Sequence, residues 1–366
     1  MDKQNAEVNF SVWLDLRFLD LKDKYSIFVA TLLQKLLALD KKNKYKLYLN
    51  DKAKMKFNNN IAVEYISSKP WSIKEQINFY NLLKKDENNV MIFFNEKKPL
   101  FYKWKYILFI KDLKEIHYKK ETWKIEEYLN NLFFNSALKN AARIVCFDSQ
   151  TKHELNEKLN VQDEIISIIH PFFNKKEIND IDLINSVKVK YSINWEFFVY
   201  SGWAGNNKNL SKLITVFQKL NKRWKNISLV ILNQEVTEDI NFRNEVIEAG
   251  IVEKVFFVWD TTLDEKKSFY NEAIWTIFPS LYESFPFELT ESINYESPIL
   301  ASSIKQIKEI MQDDIAYLSP VSIIDMIEAI ENFVENWKKE TKYIKLFERL
   351  NPDNSAQKLL ELIKKV

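Results

Sequence analysis

Residues Trp275–Ser303 read WTIFPSLYESFPFELTESINYESPILASS, and this segment decides how the rest of the chain is interpreted. It opens with a short apolar strand, Trp275–Phe278, which Pro279 and Ser280 end. A second apolar strand follows Pro298. Because open α/β sheets bind their ligands at the carboxyl ends of the strands, we expect the loop after the first strand to contribute to a ligand site.

Two glutamates stand in this segment, Glu283 in the loop and Glu291 near the start of the following helix. A helix N-terminus offers unpaired N–H groups and a partial positive charge, which suit a phosphate. A carboxylate beside it can accept hydrogen bonds from sugar or ribose hydroxyl groups. The spacing alone is weak evidence in a chain with 51 acidic residues, and two solvated glutamates on a plain loop–helix connection are the alternative.

The whole segment resembles the E-x7-E segment of the retaining glycosyltransferases of family 4, which usually reads roughly F-P-S-x-x-E-G-F-G-x-P-x-L-E-A-M-A-x-G-x-P-V-x-A-S. The matching positions are Phe278, Pro279, Ser280, Glu283, Phe285, Glu291, Pro298, Ala301 and Ser302. The resemblance implies a GT-B fold, an α/β architecture in which two Rossmann-like domains face each other across a cleft. It also implies that Glu291 holds the ribose of a nucleotide-diphosphate sugar and that Glu283 holds the sugar hydroxyls. The intervening residues of the donor site are then Ser284, Phe285, Pro286 and Phe287.

A second informative segment, YSGWAGNNKNL, spans Tyr200–Leu210. A strand ends before Gly202, two glycines permit a tight turn, and Lys208 lies just before an amphipathic helix. Backbone N–H groups, the helix dipole and the lysine ammonium can then converge on a diphosphate. The alternative is an exposed lysine at a helix start.

In family 4 the corresponding place often reads G-R-x-x-x-x-K-N. Gly202, Lys208 and Asn209 match this pattern, so the resemblance places them in the donor site, with Lys208 on the phosphates of the donor. Trp203 stands where the family usually has an arginine, and we interpret it as a packing residue or a wall of the donor site.

Strands and helices alternate along the whole chain. Apolar runs such as Val90–Phe94 alternate with helical periods such as Ile27–Leu39, and the alternation restarts at Phe197–Ser201 after the polar stretch Asn174–Trp195. This alternation predicts parallel sheets with helices on both faces. With the resemblance, it predicts an acceptor-side domain at residues 1–175, a nucleotide-sugar-binding domain at 176–340 and a C-terminal helical segment at 341–366 that packs back on the N-terminal domain.

Composition limits the functional classes. A length of 366 residues favours two domains, and 46% hydrophobic residues indicate a globular chain. A net charge of +2 gives no reason to expect a nucleic-acid partner. The single cysteine, Cys146, fits a reducing compartment, and its apolar neighbours predict a buried thiol. The polar N-terminus and the lack of an apolar run of ~18 residues favour a cytoplasmic protein.

The first half carries weaker family landmarks, namely Leu14–Arg17, Trp71–Gln76, Lys111–Leu113 and Ser149–Leu155. The pair Lys111 and Asp112 stands where the family has His-Asp, and the resemblance places the acceptor beside it. Other departures are the absence of glycine from Lys22–Ile27, Pro286 in place of a glycine, and Glu288 in place of the usual proline. Proline has no backbone N–H with which to form a hydrogen bond to the donor sugar nucleotide.

Basic and aromatic residues alternate in the segment KKPLFYKWK, Lys97–Lys105. Further lysines follow at Lys114, Lys119, Lys120 and Lys124. This pattern predicts either a peripheral contact with an anionic membrane, at the inner face of the cell membrane, or a solvated loop.

We therefore hypothesise a retaining glycosyltransferase that moves a sugar from a nucleotide-diphosphate sugar to a glycan or glycolipid acceptor in surface polysaccharide assembly. It is expected to need no metal ion and no cofactor beyond this donor, since the three histidines lack ligand spacing. The departures motivate an alternative, a weakened or inactive GT-B protein that acts as a binding or scaffold partner. A sugar-nucleotide epimerase is the third interpretation.

Overall fold

The computed structural model describes residues 10–20, 23–50, 61–66, 72–85, 89–117, 124–174, 187–224, 227–336 and 343–366. Contacts divide the chain into two compact units, Met1–Phe172 with Leu350–Val366, and Phe173–Arg349. The expected domain limits at 175/176 and 340/341 lie outside the described residues. The same holds for Trp71, Lys119 and Lys120 and for the start of the glycine-free segment Lys22–Ile27.

The helices of the described residues are interspersed with the strands in chain order. They are α1 Lys24–Leu39, α2 Ile73–Lys85, α3 Lys114–His117, α4 Lys124–Lys139, α5 Ser149–Glu157, α6 Val187–Lys190, α7 Leu210–Trp224, α8 Gln234–Glu238, α9 Ile240–Glu248, α10 Leu263–Glu272, α11 Thr290–Asn294, α12 Lys305–Met311, α13 Ile323–Asn336, α14 Ile344–Arg349 and α15 Pro352–Ile363. In this part of the chain every helix is too short or too polar to cross a membrane.

The first unit is built on a parallel sheet. Its strands are β1 Ser11–Leu16, β2 Lys44–Asn50, β3 Ala62–Ile66, β4 Val90–Phe93, β5 Tyr106–Phe109, β6 Arg143–Cys146 and β7 Ile166–Ile168. They lie in the order β3-β2-β1-β4-β5-β6-β7. The central strands are apolar throughout and buried, as expected for a parallel sheet with both faces covered. Cys146 is fully buried in β6, which confirms the prediction of a core thiol.

The second unit repeats this design on a separate parallel sheet. Its strands are β8 Glu196–Tyr200, β9 Ile227–Ile231, β10 Val255–Phe257, β11 Trp275–Phe278, β12 Ile299–Ser302 and β13 Ala316–Leu318. Their order is β10-β9-β8-β11-β12-β13. The chain therefore proceeds outward from β8 in one direction and from β11 in the other. The gap between these two neighbouring strands is a topological switch point, where open α/β sheets bind ligands.

The predicted stripe of α7 forms the core against this sheet. Leu213, Ile214, Phe217 and Leu220 are at most 2% exposed and pack among the β8 and β9 side chains. Their i, i+1, i+4, i+7 spacing puts them on one helix face, which packs against the sheet. The helix start, and with it Lys208, is thereby fixed beside the end of β8.

Helix α15 closes the first unit from the far end of the sequence. It packs on α1, and its apolar face, which includes Leu359 and Ile363, is buried. An ion pair of 3.0 Å between Lys35 and Asp353 lies at the exposed rim of this contact. The preceding residues Tyr343–Arg349 belong to the second unit.

Several short elements differ from the sequence prediction. The stretch Asn174–Trp195, expected to be irregular, contains the helix α6. The strand β13 and the helices α3, α8 and α12 were not predicted at all. β13 has only three residues, Ala316–Leu318, and so short a run gives no periodic signal in the sequence.

Candidate active site

The two predicted site segments meet at the carboxyl edge of the second sheet. They form the loops that follow β8 and β11, and these strands pair directly, with Trp275 opposite Phe198 and Thr276 opposite Val199. Parallel strands present all their carboxyl ends at one edge. The resulting site lies at the topological switch point of the sheet.

Hydrogen bonds from side-chain and backbone amides hold the two loops together. Asn207 Nδ2 donates to the carbonyl of Tyr282 at 3.0 Å, and the amide of Leu281 donates to the carbonyl of Asn207 at 2.7 Å. Asn209 Nδ2 donates to the carbonyls of Pro279 at 3.2 Å and Pro320 at 2.8 Å. The Asn209 amide nitrogen is therefore engaged in holding the ends of β11 and β13 beside the start of α7.

Lys208 lies at the centre of these loops and is completely buried. Its Nζ donates a short hydrogen bond to Oε1 of Glu283 and a second one, of 3.0 Å, to Oε1 of Glu288. The ammonium also lies 4.9 Å from the ring centroid of Phe278 and 5.5 Å from that of Trp203. The structure thus brings Lys208, Glu283 and Trp203 together, and the alternative of an exposed lysine is wrong.

Opposite effects set the protonation of this cluster. Burial lowers the pKa of Lys208, but the attraction of Glu283 and Glu288 outweighs it and holds that pKa above its ordinary value. Burial raises the pKa of Glu283 to about 7, and the neighbouring Glu288 adds to this, while Lys208 acts in the opposite direction. The cluster therefore keeps a permanent cation and contains a carboxyl group that titrates near neutral pH.

The glycines of the β8–α7 loop have a role other than the one predicted. Neither Gly202 nor Gly205 has a positive φ, so the tight turn does not require them. Instead, a Cβ at Gly202 would lie 2.7 Å from Cζ of Tyr200, and one at Gly205 would lie 2.5 Å from the ring of Trp203. Close packing of aromatic rings explains the two glycines, and Asn209 takes the left-handed conformation, with φ 62°.

The segment Ser284–Phe287 forms the wall that follows Glu283. The rings of Phe285 and Phe287 lie 4.6 Å apart, and Phe285 also packs at 4.8 Å on Phe173. Ser284 is 4% exposed, and Pro286 has the turn conformation φ −81°, ψ 64°. These residues give the site an apolar, aromatic lining next to its charged centre.

Glu291 has a different set of contacts from Glu283. It lies at the second position of α11, and its Oε2 accepts a hydrogen bond of 3.3 Å from the hydroxyl of Tyr270. Its Oε1 is 3.5 Å from Nζ of Lys266. The Glu291 side chain is 27% exposed, so its oxygens remain accessible to a polar ligand.

The predicted acceptor residues lie in the first unit, at the carboxyl edge of its own sheet. Lys111 and Asp112 follow β5, and the Lys111 Nζ lies 5.2 Å from the ring centroid of Tyr25. Oδ1 of Asp112 accepts a hydrogen bond of 3.1 Å from the amide of Lys114. The hydroxyl of Tyr25 donates to the carbonyl of Phe94, which follows β4. A lysine and a carboxylate are thus present where this sheet can bind a ligand.

Sequence reasoning missed two ionic groups. Glu288 was noted only as a replacement for a proline, although it binds Lys208. In the first unit, Arg17 forms buried ion pairs with Asp15, at 2.7 Å, and with Glu75. This triad joins two of the family landmarks. For Glu288, the available signal was a charged residue at a position where the family pattern has a proline.

The fold and site define a class of protein. Two separate parallel α/β sheets with covering helices form the GT-B fold, and solved structures with this architecture match nearly the whole chain. Sucrose-phosphate synthase of Thermosynechococcus elongatus is 14% identical, with a TM-score of 0.71, over 98% of this chain and 99% of that one. HepE of Anabaena, solved with UDP-glucose, is 10% identical, with a TM-score of 0.71, over 98% and 100%.

The sequence comparison is more specific for the second unit. Residues 188–348, all within the second unit, match the family model described as "Glycosyl transferases group 1". The O-antigen chain mannosyltransferase RfbU of Salmonella typhimurium is 21% identical over 237 residues, which are 63% of each chain. The chain spans 63% and 60% of the lengths of the curated relatives that it matches.

Proposed function

We propose that this protein is a retaining glycosyltransferase that moves a sugar from a nucleotide-diphosphate sugar to a glycan or glycolipid acceptor. The observation that carries the proposal is the Lys208–Glu283 ion pair at the switch point of a glycosyltransferase group 1 domain. A cation for the phosphate and a carboxylate for the sugar are thereby adjacent, in the loops where this type of sheet binds ligands.

Each donor residue has a distinct role in this proposal. Lys208 binds the phosphates, since an ammonium carries the charge that a diphosphate needs. Glu283 accepts hydrogen bonds from the sugar hydroxyls. Glu291, with its accessible oxygens beside Tyr270, accepts those of the ribose. HepE was solved with UDP-glucose, and RfbU is named a mannosyltransferase, so sugar nucleotides of glucose and of mannose are the first to test.

The reaction breaks the bond between the sugar C1 and the leaving phosphate oxygen. A bond forms between C1 and the acceptor hydroxyl oxygen on the same face, and the hydroxyl proton passes to the leaving phosphate. This route requires no protein nucleophile. Lys208 stabilises the charge that develops on the leaving diphosphate, the task for which a preorganised cation is most effective. We therefore propose that the reaction is independent of metal ions, and that a chelator leaves the rate unchanged.

The acceptor is assigned to the first unit. Lys111 and Asp112 supply a cation and a carboxylate at the carboxyl edge of its sheet, and Asp112 can orient an acceptor hydroxyl. The name of RfbU, an O-antigen chain transferase, supports a role in surface polysaccharide assembly. A glycan or a lipid-linked glycan is therefore the acceptor class to screen.

The test is product analysis by NMR of sugar nucleotides incubated with the purified protein, with and without glycan acceptors. We expect a glycoside whose anomeric configuration equals that of the donor. Lys208→Ala is expected to abolish transfer, whereas Lys212→Ala, at a lysine bound to the carbonyl of Val321, keeps it. An inverted product contradicts the retaining mechanism, and an epimerised donor without transfer favours the epimerase interpretation.

A peripheral membrane contact is proposed for the first unit. In the Lys97–Lys105 segment, Lys98 is buried, with its ammonium donating to the carbonyls of Pro99 and Tyr102 at 3.2 Å. This arrangement directs Phe101 and Trp104 outward, and they are 65% and 45% exposed. Exposed aromatic rings beside basic residues are suited to an anionic bilayer surface.

Vesicle sedimentation tests the membrane contact. The full chain is expected to bind phosphatidylcholine vesicles only when they contain phosphatidylglycerol. Binding should be lost in Phe101→Ser/Trp104→Ser and kept in Leu39→Ser, which removes another exposed apolar side chain of the same unit. Equal loss in both variants contradicts a specific contact through this segment.

A binding or scaffold role is the second candidate function. The observation that favours it is the complete burial of Lys208 between two glutamates, which leaves its ammonium inaccessible to solvent. Absence of transfer and of donor hydrolysis, together with glycan binding, supports this second candidate. Turnover of any sugar nucleotide by the pure protein contradicts it.

A further inference from the structure

The ion-pair cluster around Lys208 contains one carboxylate more than the donor site needs. With Glu283 and Glu288 both ionised, two negative charges surround one positive charge. Such a site repels a diphosphate. Lys208 has no exposed surface, so a phosphate reaches its ammonium only if one of the covering groups moves away.

Geometry identifies Glu288 as the group that moves. Its side chain is 19% exposed, against 10% for Glu283, and it contacts Lys208 at 3.0 Å. Glu288 also lies in a single helical turn, Phe287–Leu289, at the start of α11. Rotation of its side chain toward solvent requires no change in the sheet or in the longer helices.

We propose that Glu288 is a positioning residue that holds the Lys208 ammonium and is displaced from it by the donor diphosphate. This inference rests on the proposed function, because it assigns the donor phosphates to Lys208. The displaced carboxylate leaves Lys208 to the ligand, and Glu283 stays as the sugar-binding carboxylate. Donor affinity is then set by the competition between a protein carboxylate and a phosphate for one cation.

The competition makes donor binding depend on protons. Titratable groups that face Glu288 include Lys208 and Glu283 in the two loops and Tyr200 at the end of β8, whose pKa burial and both glutamates raise. A negative ligand favours protonation of the carboxyl groups beside it. Binding should therefore take up protons, and it should weaken as the pH rises through the pKa of Glu283, at about 7.

The test measures sugar-nucleotide binding by calorimetry at pH 6, 7 and 8, in buffers of different ionisation enthalpy. The probes are UDP-glucose, GDP-mannose, ADP-glucose and dTDP-glucose, whose diphosphates are diesters and do not titrate near neutral pH. The variants are Glu288→Gln, Lys208→Ala and the matched control Glu248→Gln, at an exposed position in α9. Uptake of one proton corresponds to about a tenfold loss of affinity per pH unit.

Glu288→Gln is expected to bind a probe about tenfold more tightly than the wild type at pH 8, with less proton uptake and a flatter pH profile. Glu248→Gln should match the wild type. Binding by Glu288→Gln alone, with none by the wild type, also supports the proposal. If Glu288→Gln binds no more tightly and keeps the wild-type pH profile, the proposal is overturned, while loss of binding in Lys208→Ala leaves the proposed function intact. If neither protein binds any probe, both are overturned.

Discussion

Lys208 is both charged and completely buried, and these two properties oppose each other energetically. A fully buried ammonium without a partner costs several kcal/mol, so it is retained only where carboxylates compensate its charge. Glu283 and Glu288 supply that compensation, and the aromatic rings of Phe278 and Trp203 exclude water from the pair. Burial, and to a lesser degree the neighbouring Glu288, nevertheless raise the pKa of Glu283 to about 7, which makes the cluster sensitive to pH.

At residue scale the first prediction concerns Glu283→Gln. The pKa of Glu283 is about 7 in the folded protein, above its ordinary value of 4.5, because the carboxyl group is buried. A raised carboxyl pKa stabilises the fold below pH 4.5, and this contribution is lost as the pH rises through about 7. The glutamine variant has no such loss. The free energy of unfolding of the variant, relative to that of the wild type, should therefore increase from pH 5 to pH 8.

Urea unfolding at each pH, followed by tryptophan fluorescence, measures this difference. Glu253→Gln, at a more exposed glutamate of the second unit, serves as the control and should show a constant difference. A difference between Glu283→Gln and wild type that is also constant with pH means that Glu283 does not titrate near 7.

A second prediction concerns the contact between Gly205 and Trp203. A Cβ at position 205 would lie 2.5 Å from the indole ring, so Gly205→Ala should cost roughly 1–3 kcal/mol of unfolding free energy. In the background Trp203→Leu the ring is absent and the same alanine should cost much less. A double-mutant cycle by thermal or urea unfolding gives the coupling energy. Additive costs would show that the indole ring is not what requires a glycine.

The sequence allowed Lys208 and Glu283 to be predicted as one site, because each follows a strand and both segments resemble one family. It did not reveal that Glu288 binds Lys208. That contact depends on the rotation of a single helical turn, for which residue spacing contains no signal. The steric requirement for the glycines was not predicted either, since it arises from the rings of Tyr200 and Trp203.

At the scale of elements, the start of α7 depends on Asn209. Its left-handed backbone conformation ends the turn Asn206–Lys208, and its side-chain amide joins the loops after β11 and β13. Asparagine is among the residues that adopt this conformation with least strain. Its position explains how a loop between a strand and a helix can hold a buried lysine in place.

Variants of Asn209 separate these two roles. Asn209→Ala loses both the amide hydrogen bonds and the favourable backbone conformation, so it should destabilise the protein by roughly 2–4 kcal/mol. Asn209→Gly keeps the conformation and loses only the hydrogen bonds, at roughly 1–2 kcal/mol. Urea unfolding should therefore give the highest free energy of unfolding for the wild type, a lower one for Asn209→Gly and the lowest for Asn209→Ala. Equal stability of the glycine and alanine variants would show that the left-handed conformation costs nothing.

Most helices and strands could be predicted within a few residues of their ends. β11 was predicted with its exact bounds, since Pro279 ends it, and the buried face of α7 follows from a clear helical period. The failures are short elements. α6 has four residues and β13 three, and tertiary packing rather than a local pattern determines such segments.

At the scale of the whole molecule, the C-terminal helix belongs to the unit formed by the beginning of the chain. α15 covers α1, and Leu359 is fully buried at this contact. Alternation of strands and helices was sufficient to predict two α/β sheets. The assignment of Leu350–Val366 to the first unit depends on contacts between residues more than 300 positions apart, such as Lys35 with Asp353.

Leu359→Ala tests the contribution of α15 to the first unit. Removal of a buried leucine side chain should cost about 2–5 kcal/mol. Lys358→Ala, at the exposed neighbouring position, should be within about 0.5 kcal/mol of the wild type. Hydrogen exchange resolves where the loss occurs, and faster exchange is expected in α1. Unchanged protection of α1 in Leu359→Ala would contradict a stabilising contact between the two helices.

The central claim is that the second unit binds the diphosphate of a sugar nucleotide through Lys208. The most direct measurement is a thermal-shift panel of UDP, GDP, ADP, dTDP and CDP on the wild type, Lys208→Ala, Glu291→Ala and the control Lys212→Ala. A ligand at about 100 times its Kd stabilises the state that binds it by ~2.7 kcal/mol. We predict a shift with at least one diphosphate, kept in Lys212→Ala, reduced in Glu291→Ala and lost in Lys208→Ala. A shift that persists in Lys208→Ala, or no shift with any diphosphate, would contradict the claim.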